Sequence, residues 1–378
     1  MACRILHVVG SMDRGGIETW LVHVLRHTDR DRFPMDFLVH TTRPGAYDAE
    51  VRALGGRILP CLLPSRPWAY GRSFRRVLRE CGPYEVVHSH VHHYSGQVLR
   101  LARAEGVPVR IAHSHLDSGG LRGRTGWFRR FYVKLMERWI ARDSTVGVAA
   151  SRLAAAALFG DAWQADVRRR LLYCGIDLAP FRTPLDPAAK RAELGIAADA
   201  FVMGHVGRFM EQKNHDFLIA IAAEVARREP RARLLLIGDG PLRSAIQRRV
   251  HEAGMAGRVL FAGSRPDVPE LMRGVIDVFV MPSLYEGLPL VGMEAQAAGL
   301  TLVVSDTITP EMDVVPGLVR RRSLKQSASD WADTVLAVRD GPCVRKQEAL
   351  TAVANSPFAI QNSVRELEQL YAAGARAS

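Results

Sequence analysis

Two patterns of apolar residues alternate along this chain. Short continuous apolar runs, CRILHVVG (3–10), MDFLVHT (35–41), YEVVHSH (84–90), VPVRIAHSH (107–115) and TVGVAAS (145–151), have the length and composition of strands buried on both faces. Between them, apolar residues recur at helical spacing over 17–27, 48–54 and 95–105. The same grammar restarts after residue 180. AFVMGHVGR (200–208), ARLLLIGDG (232–240), RVLFAGS (258–264), DVFVMPS (277–283) and LTLVVSD (300–306) read as strands, and 216–227, 241–253 and 289–298 as helices. Strands alternating with helices build parallel sheets, so the pattern predicts an α/β protein of two tandem, Rossmann-like, doubly wound domains. CGIDLAPFRTPLDP (174–187), rich in Gly and Pro and without periodicity, reads as the hinge and bounds the domains at 1–178 and 186–355. An amphipathic stretch near 359–373 predicts a terminal helix. Doubly wound sheets bind ligands beyond the C-terminal ends of their strands, so a cleft faced by both domains is the expected active site.

Composition adds a charge asymmetry. The 378 residues are 48% hydrophobic and 24% charged, as in ordinary globular proteins, but 51 basic against 39 acidic side chains leave a net charge of +12. Residues 1–185 carry 28 basic and 16 acidic side chains and the remainder 23 of each, so the whole excess lies in the first half. An acidic partner is expected there. No apolar run reaches the roughly 18–20 residues that span a bilayer, and the N-terminal run is too short for a signal peptide, so a cytoplasmic location is expected. Cys3, Cys61, Cys81, Cys174 and Cys343 are scattered and never form CxxC, which fits reduced thiols and not disulfides or a cysteine zinc site.

Several turns carry candidate chemistry. Gly10 to Glu18, with Gly15 and Gly16, passes from strand to helix through glycines that let amides approach an anion, although it is not GxGxxG. Arg208 at a strand end and Lys213 near a helix start can set two cations around one diphosphate, or form a solvated basic loop. In MPSLYEGLPLVGMEA (281–295), Pro289 suits the first turn of a helix of about ten residues and Gly299 its C-terminal cap. Glu286 then precedes the helix and Glu294 rides on it, two carboxylates able to hold one hydroxyl-rich ligand, with the amides of Gly287 and Leu288 aimed at an anion between them. The plainer alternative is that Glu286 serves the helix dipole and Glu294 faces solvent.

His88, His90, His92 and His93, then His113 and His115, cluster at two strand ends. Alternation places His88, His90 and His92 on one face if the strand runs that far. Such an H-x-H can bind metal, but the later strand ends offer Arg208 and Gly238 where carboxylate or histidine ligands are needed, so no metal is expected. His115 reads as a polar group in the cleft, His92 and His93 as surface residues. Residues 121–142 interleave Arg122, Arg124, Arg129, Arg130, Lys134, Arg138 and Arg142 with Trp127, Phe128, Phe131, Tyr132 and Trp139, and 66–76 form a second such patch. This suits an interfacial helix on an anionic leaflet, or an amphipathic helix with its aromatics in the core; no nucleic-acid-binding module is evident.

In combination these motifs resemble the family-four retaining glycosyltransferases of GT-B fold, in particular the bacterial ones that build exopolysaccharide, capsule or lipopolysaccharide. The resemblance runs from Gly15-Gly16 through Gly175-Ile176-Asp177, GRF…QKN and Gly238-Asp239-Gly240-Pro241 to the Glu-x7-Glu pair Glu286 and Glu294. It implies that Arg208 and Lys213 hold the diphosphate of a nucleotide-sugar donor without a metal or other cofactor. It implies further that Glu294 binds the ribose, that Glu286 contacts the donor sugar, and that Ser264 and Arg265 lie along the base. Gly16 would approach the phosphate, and His115 would reach the sugar near the reacting carbon, with His113 as the competing candidate. The segment 358–376 would cross back to the N-terminal domain. The acceptor would be a glycan or polyprenyl-linked glycan at the inner face of the membrane, met through Arg124, Trp127, Arg129, Arg130 and Lys134, and the donor uridine-linked. A nucleotide-sugar epimerase or hydrolase of the same fold, and a metal-dependent hydrolase using the His-x-His strands, stand as alternatives.

Overall fold

The computed structural model describes residues 2–62, 64–115, 126–339 and 345–376. Contacts divide the chain into two units, Met1–Gly175 with Ile360–Ser378, and Ile176–Ala359. The expected hinge therefore belongs mostly to the second unit, where Arg273 Nη1 donates to the Pro180 carbonyl at 2.9 Å.

The first unit is a seven-stranded parallel sheet of β1 (Ile5–Val9), β2 (Met35–Val39), β3 (Ile58–Pro60), β4 (Val86–Ser89), β5 (Val109–Ser114), β6 (Val146–Ala149) and β7 (Arg169–Leu171) in the order β3-β2-β1-β4-β5-β6-β7. Strand alternation sorts its side chains. Leu6, Val8, Val87 and Ala112 point to one face and join a core with Tyr70 and Phe74 of the helix Pro67–Cys81. His7, His88 and His113 fall on the other face, against Trp20 of the helix Gly16–His27 and Tyr371 of the helix Ile360–Arg376.

The second unit is a six-stranded parallel sheet of β8 (Phe201–Val206), β9 (Ala232–Ile237), β10 (Val259–Gly263), β11 (Val278–Met281), β12 (Thr301–Ser305) and β13 (Val319–Arg322) in the order β10-β9-β8-β11-β12-β13. Leu234, Leu236, Val278 and Val280 pack against Leu218 of the helix His215–Arg228 and Trp331 of the helix Ala328–Arg339. Each sheet grows outward in both directions from a central pair, β1 and β4 in the first and β8 and β11 in the second. The strand ends at those pairs are where such sheets receive ligands.

The apolar runs predicted the ten other strands but not β3, β7 and β13. All three lie at sheet edges, and RRL and VRRR carry no apolar run because an edge strand need not bury both faces. The helix of Glu294 is shorter than expected, Leu290–Ala297, because Pro289 has extended ψ (101°) and is the N-cap rather than part of the first turn; Gly299, φ 77°, follows its C-terminal end. The strand carrying His88 stops at Ser89, and His92, φ 49°, turns into a short 3₁₀ helix with His93. His92 thus leaves the face of His88 and His90, and both turn histidines are half-buried, not surface residues.

Candidate active site

In the second unit the chain leaves β8 through Gly207 and Arg208, makes a 3₁₀ turn at Glu211–Lys213, and enters the helix His215–Arg228 through Asn214, φ 52°. Gly207 is small for a reason: a Cβ there would lie 3.1 Å from Lys213 Cε, so the lysine stem folds across bare backbone. Gly238 has φ 133° and a Cβ on it would strike the Gly207 carbonyl, so only glycine fits where the Gly238-Asp239-Gly240 turn presses on this loop. The Phe209 amide donates to the Asp239 carbonyl at 2.9 Å and completes the brace.

The adjacent strand β11 delivers the other half. Lys213 Nζ lies 2.6 Å from Glu286 Oε1, and Gln212 Nε2 donates to Glu286 Oε2 at 3.2 Å and to the Tyr285 carbonyl at 2.9 Å. The Leu284 amide donates to the Gln212 carbonyl at 2.8 Å, and Asn214 Nδ2 to the Pro282 carbonyl at 3.1 Å. Glu286 is therefore a buried, paired carboxylate and more than a partner of the helix dipole. Arg208 is exposed, and among the described residues no hydrogen bond or ion pair holds its guanidinium. The amides of Gly287 and Leu288, just ahead of the helix Leu290–Ala297, make no backbone hydrogen bond among the described residues. Glu294, half-buried on that helix, has its carboxyl pushed up to about 7 by burial, so it is not a solvated surface carboxylate.

Ser264 is exposed beyond β10. Arg265 is committed elsewhere: Nε donates to Asp267 Oδ1 at 2.7 Å and Nη2 to Glu193 Oε1 at 2.7 Å. The Gly263 carbonyl accepts the Gly238 amide at 2.8 Å, which leaves the backbone of Ser264 and Arg265 to a ligand. Lys213, Arg208, the Gly287 and Leu288 amides and a helix N-terminus can together receive a polyanion, while Glu294 can accept hydrogen bonds from hydroxyls. Sequence reading missed His205 and His215 here. They pack edge to face with ring centres 5.1 Å apart, and burial pushes His215 down to about 4. Their only sequence signal is proximity to the loop that carries Lys213.

In the first unit, exposed Gly16 opens the helix Gly16–His27 just after β1, with open space where a Cβ would stand. At the same sheet end five buried histidines meet, His7 joining the four expected from β4 and β5. His7 Nδ1 lies 3.0 Å from His90 Nε2, His90 Nδ1 2.9 Å from His115 Nε2, and His115 Nδ1 3.6 Å from Cys174 Sγ. A second chain joins Tyr371 Oη to His88 Nδ1 at 2.8 Å and His88 Nε2 to His113 Nδ1 at 3.1 Å. Burial, reinforced for His88, His90, His113 and His115 by the neighbouring imidazoles, depresses all five; His7 and His115 fall to about 3, so the cluster is neutral at pH 7. His115 is 9% exposed and His113 fully buried, so of these two only His115 reaches the surface. His7 was legible as a third strand histidine at the depth of His88, its direct register partner. The two groups of three histidines whose ligand atoms lie within 4.8 Å contain no carboxylate of the kind a hydrolytic metal centre would add.

The helix Trp127–Asp143 presents its first turns to solvent: Trp127, Phe128 and Phe131 are each at least 66% exposed, and Arg129, Arg130 and Lys134 are exposed beside them. A wholly core role for its aromatics is thereby corrected, although Trp139 is partly buried under Arg100 at 4.3 Å. Trp68, on the helix Pro67–Cys81, is 88% exposed. Arg122, Arg124 and Cys343 lie outside the described residues. Among those described, no helix is long and apolar enough to cross a membrane, and Cys3, Cys61, Cys81 and Cys174 are free thiols.

Comparison with known proteins covers both units. Residues 15–175 match the glycosyl transferase 4-like domain and residues 186–349 the family described as glycosyl transferases group 1. EpsF of Bacillus subtilis (strain 168), named as a glycosyltransferase, is 39% identical over 374 residues, which cover 97% of this chain and 96% of EpsF. An Escherichia coli protein named as a UDP-Gal:alpha-D-GlcNAc-diphosphoundecaprenol alpha-1,3-galactosyltransferase is 28% identical over 232 residues, 59% of this chain and 58% of its own. Anabaena HepE in complex with UDP-glucose superposes with a TM-score of 0.78 at 19% identity, covering 98% of this chain and 99% of HepE, which is a likeness of fold.

Proposed function

Because the chain belongs to the family-four glycosyltransferases of GT-B fold, we propose that it is a retaining enzyme that moves a sugar from a nucleoside diphosphate donor, uridine-linked, to a polyprenyl-linked or other membrane-bound glycan in cell-surface polysaccharide synthesis. The observation that carries the reading is the Lys213–Glu286 contact at the switch point of the second sheet. An incoming diphosphate competes with Glu286 for the Lys213 ammonium. Released, Glu286 is free to accept hydrogen bonds from the donor sugar, so one exchange of partners couples phosphate binding to sugar binding. Arg208 and the Gly287 and Leu288 amides take up further phosphate charge, and Glu294 accepts from the ribose hydroxyls.

When the glycosidic bond breaks, negative charge grows on the diphosphate, and fixed cations with a helix N-terminus neutralise it without a divalent ion. Retention places attack and departure on the same face of the sugar, and no enzymic nucleophile is assigned. His115, the more exposed of the two candidates, is the histidine assigned to the sugar, and Ser264 with the neighbouring backbone to the base. Gly16 would leave room for a phosphate oxygen. Arg129, Arg130 and Lys134, with Trp127 and Phe128, suit the anionic inner leaflet, which fits a cytoplasmic, peripherally bound enzyme; Arg124 is assigned to the same contact. The acceptor class is supported by the E. coli relative, whose name specifies a diphosphoundecaprenol substrate and a UDP donor.

The test is a panel of UDP-sugars on the purified chain. At least one is expected to bind and turn over, with Lys213→Ala and Glu294→Ala each lowering turnover about 100-fold, and with no change on adding Mg²⁺ or Mn²⁺. Absence of binding by any UDP-sugar overturns the donor, activity that requires an added divalent ion overturns metal independence, and an inverted product anomer overturns retention. Free sugar or an epimer formed without acceptor would favour a hydrolase or epimerase.

A further inference from the structure

The histidine cluster of the first unit has no part in the donor-phosphate chemistry assigned to the second, apart from His115 at its edge. Each neutral imidazole has one N–H and one lone pair, so a chain of bonded imidazoles must end on a nitrogen that needs a partner. The two chains end at His7 Nε2 and His113 Nε2, both fully buried and both without a hydrogen-bond partner among the described residues. Among the described residues hydrogen bonding therefore leaves one costly unmet nitrogen on His7 and one on His113. Both nitrogens of His88 and of His90 are paired, so an ion held by those two rings takes the place of the His88–His113 and His7–His90 contacts.

We propose that His7, His88 and His90 form a binding site for one transition-metal ion of the zinc class. Their ligand atoms lie within 4.8 Å of one another, so an ion at their centre is no more than about 2.8 Å from each and needs only a small contraction to reach zinc–imidazole bonds of about 2.0–2.1 Å. Ring centres are 5.2 Å apart for His7 and His88, 5.3 Å for His7 and His90, and 4.3 Å for His88 and His90. Three imidazoles on one tetrahedral ion stand about 5 Å apart by the same bond lengths.

The neighbours have the character of outer ligands. Tyr371 Oη beside His88 Nδ1 and His115 Nε2 beside His90 Nδ1 are placed to accept the second N–H of two ligating rings, the contact that orients metal-bound histidines. Backbone register sets the pair His7 and His88 side by side on β1 and β4, with His90 two residues beyond on the same face. Three neutral nitrogen donors favour zinc, copper, nickel or iron(II) over magnesium or calcium. The overlapping group His90, His113 and His115 is the poorer fit, since His113 and His115 stack with centres 3.8 Å apart.

Untagged full-length protein, grown with zinc and desalted, is expected to hold about one zinc per chain by elemental analysis, and the metal-stripped protein to take up Co²⁺ with the visible absorption of a four-coordinate ion. His7→Asn and His90→Asn should each lower metal content at least about 10-fold, whereas His113→Asn, and His205→Asn in the other unit, should retain it. Wild-type protein that holds no zinc and gives no Co²⁺ spectrum overturns the site. Loss of metal in His113→Asn with retention in His7→Asn overturns this choice of ligands. Should the variants fail to fold, the cobalt spectrum of the wild type alone decides whether a site exists. None of these readouts involves donor turnover, so the site stands or falls apart from the proposed reaction.

Discussion

The ammonium of Lys213 lies 2.6 Å from Oε1 of Glu286, and their side chains are only 13% and 7% exposed. Removing one partner strands the other charge in a poorly hydrated place, which costs about 3–5 kcal/mol for a buried pair, whereas removing both charges costs far less. Lys213→Met should therefore lower the melting temperature markedly, and Lys213→Met with Glu286→Gln should recover much of the loss without recovering turnover. A double-mutant cycle read by thermal melting and by donor turnover checks this. Additive melting shifts would mean that the two charges do not depend on one another.

Glu294 gives a pH dependence of definite sign. Its folded carboxyl is raised from 4.5 to about 7, so the fold favours the protonated form; the associated stability is complete below pH about 4.5 and lost as pH rises through about 7. Glu294→Gln, which is neutral throughout, should melt close to wild type at pH 4.5 and above it at pH 8. If hydroxyls of the donor need the carboxylate as acceptor, donor affinity should also weaken as pH falls below about 7. Parallel melting curves for the two proteins across this range would contradict the first expectation.

Two glycines of the second unit separate backbone strain from collision. Gly238, φ 133°, and Gly254, φ 67°, both resist replacement, but open space surrounds Gly254 while a Cβ on Gly238 meets the Gly207 carbonyl. Gly254→Ala should cost about 1 kcal/mol and leave donor binding alone. Gly238→Ala should cost more than about 2 kcal/mol and weaken binding of UDP, because the displaced loop carries Arg208 and Lys213. Melting curves and UDP titration compare them; equal costs would argue against the collision.

The exposed turns of the helix Trp127–Asp143 predict salt-sensitive attraction to anionic lipid. At about 1 kcal/mol for each basic residue near such a surface, Arg129→Glu with Arg130→Glu should reduce sedimentation with anionic vesicles by 10-fold or more. Trp127→Ser with Phe128→Ser should weaken binding at every salt concentration, since its loss is of apolar burial. Equal binding to neutral and anionic vesicles would leave the +12 excess of the first half without this explanation.

The ten strands with apolar runs, the helices near 17–27, 48–54, 95–105, 216–227, 241–253 and 289–298 and the Glu286–Glu294 spacing were legible because each depends on periodicity and capping over a few residues, whereas the short helices Arg152–Phe159 and Val268–Gly274 were not. The edge strand Val319–Arg322 was not, since its pairing comes entirely from the neighbour it lies beside. Nor were the exposed Trp127 and Phe128, whose spacing serves a core helix equally well.

By itself, then, the chain's sequence determined two parallel-sheet units and which side chains stand at their strand ends, because strand alternation and turn chemistry act locally. Only the tertiary structure decided that Lys213 pairs with Glu286, 73 residues away, and that His7 meets His88 and His90. Both results follow from strand order. In each sheet the first strand lies beside one that comes much later in the chain, β8 beside β11 and β1 beside β4, and contact across such a pair is fixed by the packing of the whole sheet and by no short stretch within it.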